Sequence, residues 1–151
     1  MEKREVTITI TIDPDAKPGP SEASTNVKVP GKYWLKILPS PEGHPGTMAE
    51  NLAHELGHII GDIFETPAAK ADQRSIEAAR GRGGVVENTY SKLGFMPTAI
   101  KNSLVASEAE AWELGRKMIP IKQETIDRSL GTYKKIMTID DAVARLASFS
   151  K

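Results

Sequence analysis

The N-terminal part of the chain has the hydrophobic patterning of a small β-sheet. Residues 6–12 alternate apolar and hydroxyl-bearing side chains with a period of two, which is typical of a half-buried strand. Two more strands are predicted at residues 26–29 and 32–38, separated by a Pro-Gly turn. Residues 13–25 contain three prolines, a glycine and small polar residues, so this stretch is predicted to be a mobile connection.

After the proline- and glycine-rich segment 39–46, the pattern changes to that of helices. Thr47 and Glu50 have the residue types and spacing of a capping box, so a helix is predicted to begin there and to continue to about Phe64. A second helix is predicted to begin at Pro67, since proline is tolerated in the first turn, and to end near Arg80 before a run of glycines.

The C-terminal half predicts two further helices. Ser107 and Glu110 match a second capping box, which predicts a helix that begins there and ends before Pro120. A last helix is predicted from Thr138, with an apolar stripe of Ile139, Val143 and Leu146. The predicted fold is therefore α+β, with a small N-terminal sheet followed by a helical region.

Composition restricts the class of protein. With 151 residues the chain is expected to form one domain over residues 1–151, and 39 % hydrophobic residues exclude a wholly disordered chain. The 20 basic and 20 acidic residues give zero net charge, which disfavours a nucleic-acid-binding protein with a basic surface. No apolar run suggests a signal peptide or a membrane span, so we expect a cytoplasmic protein without membrane association.

The residues of greatest chemical interest are His54-Glu55-Leu56-Gly57-His58, an H-E-x-x-H motif inside the first predicted helix. Residues four apart lie one turn above each other on a helix, so His54 and His58 can offer two imidazoles to one metal ion. Glu55 is placed to reach a water on that ion without binding the metal itself. This arrangement is typical of zinc hydrolases, in which the carboxylate acts as general base.

A structural interpretation of the same residues is weaker. Single histidines and glutamates in helices are common surface or core residues. However, the chain has only 3 histidines, and two of them fall at this spacing in a helix predicted independently from its cap. Because the chain contains no cysteine, any metal must be held by imidazoles and carboxylates.

Two histidines leave a catalytic zinc one protein ligand short. In the H-E-x-x-H-x-x-G-x-x-[HD] pattern the third ligand follows six residues after the second histidine, and Phe64 stands there. A carboxylate from the helix predicted at Ser107 is the better candidate. Glu108 falls in line with that helix's apolar stripe, whereas Glu110 points away and serves the predicted cap. We favour Glu108, with Glu110, Asp62 and Glu87 as alternatives.

The H-E-x-x-H motif, followed some fifty residues later by Glu108-x-x-Ala111, resembles the gluzincin metallopeptidases. More narrowly, it is similar to the ImmA/IrrE-like and minigluzincin families, in which a short sheet precedes the motif helix and a later helix supplies a glutamate. The match covers mainly two helices.

The resemblance implies a minimal zincin-like fold and a zinc metalloendopeptidase. His54, His58 and Glu108 would bind Zn²⁺, and Glu55 would be the general base. Trp112 departs from the pattern, because those families usually carry Asn or Asp at this position to support the first histidine.

Other candidates carry less information. Residues 32–38 are a candidate edge strand that pairs with an extended substrate. Tyr90 and Tyr133 are candidate oxyanion donors, and Asp62 is a candidate partner of the His58 imidazole. The remaining distinctive residues are interpreted as surface (His44, Arg74, Arg80, Arg82) or core (Trp34, Trp112).

Two functions are consistent with these observations. The first is a zinc peptidase acting on a peptide or protein substrate. The alternative is a zinc-binding regulatory module, such as a phage or mobile-element protein, that has a zincin fold, acts through a protein partner and has little or no turnover. The intact Glu55 favours the first, since a structural metal site does not need a free base.

Overall fold

The computed structural model describes residues 5–25, 31–43, 46–72 and 96–149. Its strands are β1 (Thr7–Ile12), β2 (Glu22–Thr25) and β3 (Lys32–Ile37). Its named helices are α1 (Met48–Ile63), α2 (Thr98–Met118), α3 (Gln123–Lys134) and α4 (Ile139–Phe149), and residues 67–72 are also helical. The predicted α+β class, with the sheet before the helices, is confirmed.

Some predictions fall outside the described residues. These are the strand at 26–29, the end of the second helix, and the side chains of His44, Arg74, Arg80, Arg82, Glu87 and Tyr90. No helix in the described ranges is long and apolar enough to cross a membrane.

β3 is the central strand of the sheet. β1 pairs with it in parallel and β2 pairs with it antiparallel, in the order β1-β3-β2. The prediction that this strand is a sheet edge is therefore wrong. Its side chains alternate strictly, so that Tyr33, Leu35 and Ile37 are buried on the face packed against α1. Trp34, predicted as core, lies on the other face and is 40 % exposed.

The flanking strands differ from the predictions in two ways. β2 lies within the stretch predicted to be a connection, because pairing of Ala23 with Leu35 forms a strand where the local sequence has no alternation. β1 is confirmed as a strand, but all six of its residues are exposed. Helix α1 packs on β3 and β2, so no helix within the described ranges covers the isoleucines of β1.

The capping box of α1 is confirmed, and its glutamate has a second role. The Thr47 hydroxyl accepts from the Glu50 backbone, and Glu50 Oε1 accepts from the Thr47 backbone at 3.0 Å. Glu50 Oε2 accepts from the Lys122 N–H at 3.1 Å, and Lys122 is the N-cap of α3. Burial raises the pKa of Glu50, but hydrogen bonds from Thr47, Lys122 and Thr125 outweigh it and lower the pKa. One carboxylate thus caps two helices and joins them.

Helix α2 begins at Thr98, nine residues before the predicted start at Ser107. The second capping box is therefore wrong. Ser107 lies inside the helix and donates to Asp72 at 3.3 Å, and the Glu110 carboxylate accepts from the Thr66 hydroxyl at 2.5 Å. The predicted end of this helix before Pro120 is confirmed.

Helices α1 and α2 touch backbone to backbone where both carry small residues. A Cβ added to Gly57 would overlap the carbonyl group of Ala111, and one added to Gly115 would lie 2.9 Å from the carbonyl group of Ala53. Both alanines are almost fully buried. The four-residue spacing of these positions places them along one face of each helix. The close approach brings the side chains beside it into mutual reach.

The last two helices complete the described structure. α3 was not predicted, and it packs against α2. α4 is confirmed, and its N-terminus is capped by reciprocal bonds between Thr138 and Asp141. Its apolar positions are nevertheless exposed, Val143 by 58 % and Leu146 by 70 %, so this stripe is not a core face within the described residues.

Gly57→Ala is expected to destabilise the protein by about 1–3 kcal/mol, because the new methyl group overlaps the α2 backbone and forces the helices apart. Gly131→Ala is the matched control, since a Cβ at this α3 position meets nothing within 4 Å. It should stabilise the protein by up to about 1 kcal/mol through helix propensity. Urea unfolding of both variants measures the difference; equal effects would contradict the close packing at Gly57.

Candidate metal centre

Two helices bring three potential metal ligands together. His54 and His58 lie one turn apart on α1 and face α2, where Glu108 projects between them. His54 Nε2 lies 2.9 Å from Glu108 Oε2, and His58 Nε2 lies 3.3 Å from Glu108 Oε1. The two imidazole Nε2 atoms are 3.2 Å apart. The structure therefore assembles the three residues favoured from the sequence into a cluster that can hold a metal ion.

The cluster has the dimensions of a metal site. Bonds of about 2.0–2.1 Å in tetrahedral geometry place neighbouring ligand atoms about 3.3 Å apart. The imidazole Nε2 atoms, 3.2 Å apart, are close to this value, and each lies 2.9–3.3 Å from a different Glu108 oxygen, His54 from Oε2 and His58 from Oε1. Two imidazoles and one carboxylate form a donor set that suits divalent transition metals. Three protein ligands leave a fourth tetrahedral position for water or substrate.

Because the Glu108 carboxylate is buried, its negative charge requires a positive charge nearby. Burial raises the pKa of Glu108, but hydrogen bonds and charges from His54 and His58 outweigh it and lower the pKa to about 2. Burial lowers the pKa of His58, but the hydrogen bond and charge of Glu108 raise it to about 9. His54 has a lowered pKa, mainly because it is buried. Without a metal, a proton on His58 supplies the positive charge.

Glu55 lies beside the cluster and borders the same cleft. Burial raises its pKa to about 7, with the nearby charges of Glu108 and Glu22 acting in the same direction. The charge of His58 and hydrogen bonding from the backbone of Ala23 oppose this shift. A carboxyl group that titrates near neutral pH can both accept and release a proton.

The cleft has a volume of about 170 Å³, which is room for roughly five water molecules. The cleft is lined by His54, Glu55, Glu108 and Trp112, and by the α3 residues Ser129, Thr132 and Tyr133. The connection before β2 and the segment after β3 supply Gly19, Pro20, Ser21, Ser40 and Pro41. Tyr133, a predicted oxyanion donor, therefore borders the site, although its role stays a prediction.

Two alternative candidates for the third ligand, Glu110 and Asp62, form hydrogen bonds outside the cluster. The Glu110 carboxylate passes over Gly61 to reach Thr66; a Cβ on Gly61 would lie 2.6 Å from its oxygen. Asp62 accepts from the Tyr33 hydroxyl at 2.5 Å. Neither belongs to the cluster of three.

The sequence interpretation missed the contact between Trp112 and His54. Trp112 is confirmed as a buried residue, but its ring also lies against the His54 imidazole, with ring centroids 4.1 Å apart and planes inclined by 38°. His54 Nδ1 is buried and has no hydrogen-bond partner among the described residues. The four-residue spacing from Glu108 to Trp112 places both on one face of α2, and this was the available signal.

Asp72 was also missed, because it lies beyond the motif helix. It accepts from Ser107 on α2, and its charge contributes to the raised pKa of His58. No sequence spacing links Asp72 to the cluster; only the packing of residues 67–72 near α2 brings it close.

Glu108→Gln is expected to weaken metal binding by more than about 100-fold, since the amide removes the one negative charge in the cluster. Glu110→Gln on the same helix is the matched control and should bind metal within about threefold of wild type. Competition with a chromophoric chelator measures both affinities. A larger loss in Glu110→Gln than in Glu108→Gln would contradict the assignment.

Stability of the chelated protein should fall as pH rises from about 6.5 to about 9. The raised pKa of His58 means that its stabilising proton is fully bound below 6.5 and is lost toward 9. The effect is on the order of 3 kcal/mol. Urea unfolding in chelator at several pH values measures it, and His58→Gln should remove most of the slope. A stability that rises across this range would contradict the expected ion pair.

Comparison with known proteins adds no relative. No protein-family model matches the chain, and no curated protein or solved structure matches it. The interpretation of the site therefore depends on its own geometry, which is that of three side chains able to hold a metal ion.

Proposed function

We propose that the chain is a zinc-dependent peptidase of the gluzincin type. The observation that carries the proposal is the convergence of His54, His58 and Glu108 within 4.8 Å, with Glu55 bordering the same cleft. Zn²⁺ suits this mixture of imidazole and carboxylate donors and the near-tetrahedral separations. The resemblance noted in the sequence suggests the same ion.

The presence of Glu55 beside the ligands favours a catalytic site over a metal-storage site. A site that only stores or senses a metal gains nothing from a buried carboxyl group beside the ligands, and burying one is costly. When bound, zinc supplies Lewis-acid activation of a water and of the scissile carbonyl. In this proposal Glu55 takes the proton from the attacking water and delivers it to the leaving amine.

The substrate is proposed to lie along β2. Among the described strands, β2 is paired on one side only, with β3, and the backbone of Ala23 hydrogen-bonds toward Glu55. An extended peptide added to this free edge would pass the general base. This proposal replaces the interpretation of β3 as the substrate-binding strand, since β3 is central. Tyr133 also lines the cleft and is the proposed donor to the developing oxyanion.

Cleavage of an unstructured protein by the zinc-loaded chain is the expected activity. Glu55→Gln should lower the rate by about 10²–10⁴-fold and keep zinc affinity within about threefold, since it removes only the proton acceptor. Glu110→Gln, a matched change outside the cluster, should cleave like wild type. Product analysis by mass spectrometry together with zinc content gives both readouts.

One result would overturn the proposal that the chain is a peptidase. It is a wild-type chain that holds one zinc and cleaves no better than Glu55→Gln. Such a result would leave the metal centre standing and favour the regulatory module.

A further inference from the structure

The two nitrogens of His54 have different surroundings. Nε2 faces the cluster, 2.9 Å from Glu108, so it is the atom that would bind the metal. The proton of a neutral ligand imidazole must then sit on Nδ1. Metal-bound histidines usually donate this N–H to a carboxylate, a carbonyl or water, which fixes the orientation of the ring. His54 Nδ1 is buried and lacks such a partner among the described residues.

Trp112 occupies the position next to this imidazole. The ring centroids are 4.1 Å apart and the planes are inclined by 38°, so the two rings lie partly face to face. Trp112 is only 2 % exposed and packs with Ala53, Ile121 and Ile126. An aromatic ring held this firmly restricts how far the imidazole can tilt or rotate.

Trp112 is itself anchored from α3. Its indole Nε1–H donates to the Ser129 hydroxyl at 3.2 Å. The start of α3 is joined to the start of α1 through Glu50, which accepts from the Lys122 backbone. Contacts therefore lead from the first turn of α1 through α3 to Trp112, and back to His54 in the middle of α1.

We propose that Trp112 is the positioning residue of His54, and that its indole, anchored by Ser129, orients the imidazole for metal binding by ring contact in place of the usual hydrogen bond. The proposal rests on the metal centre described above and adds a determinant of its affinity. It also lets α3, which supplies none of the three ligands, influence the metal through Ser129 and Trp112.

Cobalt(II) binding tests this role, because its visible absorption reports both affinity and ligand geometry without any assay of activity. Trp112→Leu removes the ring and should weaken Co²⁺ binding by more than about tenfold and alter the spectrum. Trp112→Phe keeps a ring and should retain affinity within about threefold of wild type. Ser129→Ala removes the same anchor and keeps the ring, so it should match Trp112→Phe, which lacks the N–H donor.

Matched controls separate positioning from general loss of stability. Trp34→Leu makes the same change on the exposed face of the sheet, and Ser103→Ala makes the same change as Ser129→Ala at an exposed site on α2. Leu104→Ala creates a cavity in a different buried cluster on α2. All three should bind Co²⁺ like wild type, whatever their unfolding midpoints in chelator.

Several outcomes would overturn the proposal. One is wild-type Co²⁺ affinity and spectrum in Trp112→Leu; another is equal loss in Leu104→Ala and Trp112→Leu, which would show that packing alone matters. Equal loss in Trp112→Phe and Trp112→Leu would show that the ring contact is unimportant. A wild-type chain that binds no Co²⁺ would contradict the metal centre itself. This result differs from the other three, which contradict only the role of Trp112.

Discussion

The close approach of α1 and α2 is the constraint on which the site depends. Gly57 allows the backbone of α2 to contact α1 at Ala111, and Gly115 allows the reciprocal contact at Ala53. A glycine inside a helix lowers stability by about 1 kcal/mol relative to alanine, so the packing of the two helices must offset this loss. The contact between α1 and α2 places Glu108 within 3.3 Å of both histidines. Any larger side chain at the crossing would separate the ligands.

Charge compensation would link the stability of the protein to metal binding at the proposed centre. The buried Glu108 carboxylate needs a cation next to it, because an unpaired buried charge is costly. A proton on His58, whose pKa is raised to about 9, meets this need in the metal-free protein, and a bound metal ion would replace it. A metal ion at the proposed centre would therefore compete with the proton for the same imidazole, and its uptake would release that proton.

The parts of the site that follow local rules could be predicted from the sequence. The Thr47 cap fixed the start of α1 and the four-residue spacing placed His54 and His58 on one face. Glu108 followed from the apolar stripe of α2, since that stripe extends through Ala111 and Trp112, which are buried. These inferences need only helical periodicity and the cost of burying a carboxylate.

The parts that depend on distant partners could not be predicted. The N-terminus of α3 is capped by Glu50, 72 residues earlier, so its own sequence shows no start signal. β2 forms because β3 is beside it. Ser107 has the residue type of an N-cap but lies inside α2, where its hydroxyl donates to Asp72. For the same reason Trp112 was interpreted only as core, although its ring also lies against His54.

A crystal structure of the zinc-loaded protein, with anomalous data collected at the zinc absorption edge, is the most direct test of the central claim. The account predicts one anomalous peak between α1 and α2, with His54 Nε2, His58 Nε2 and one Glu108 oxygen at about 2.0–2.2 Å. A peak elsewhere on the chain, or one at this site with Glu108 turned away and another carboxylate bound, would contradict it.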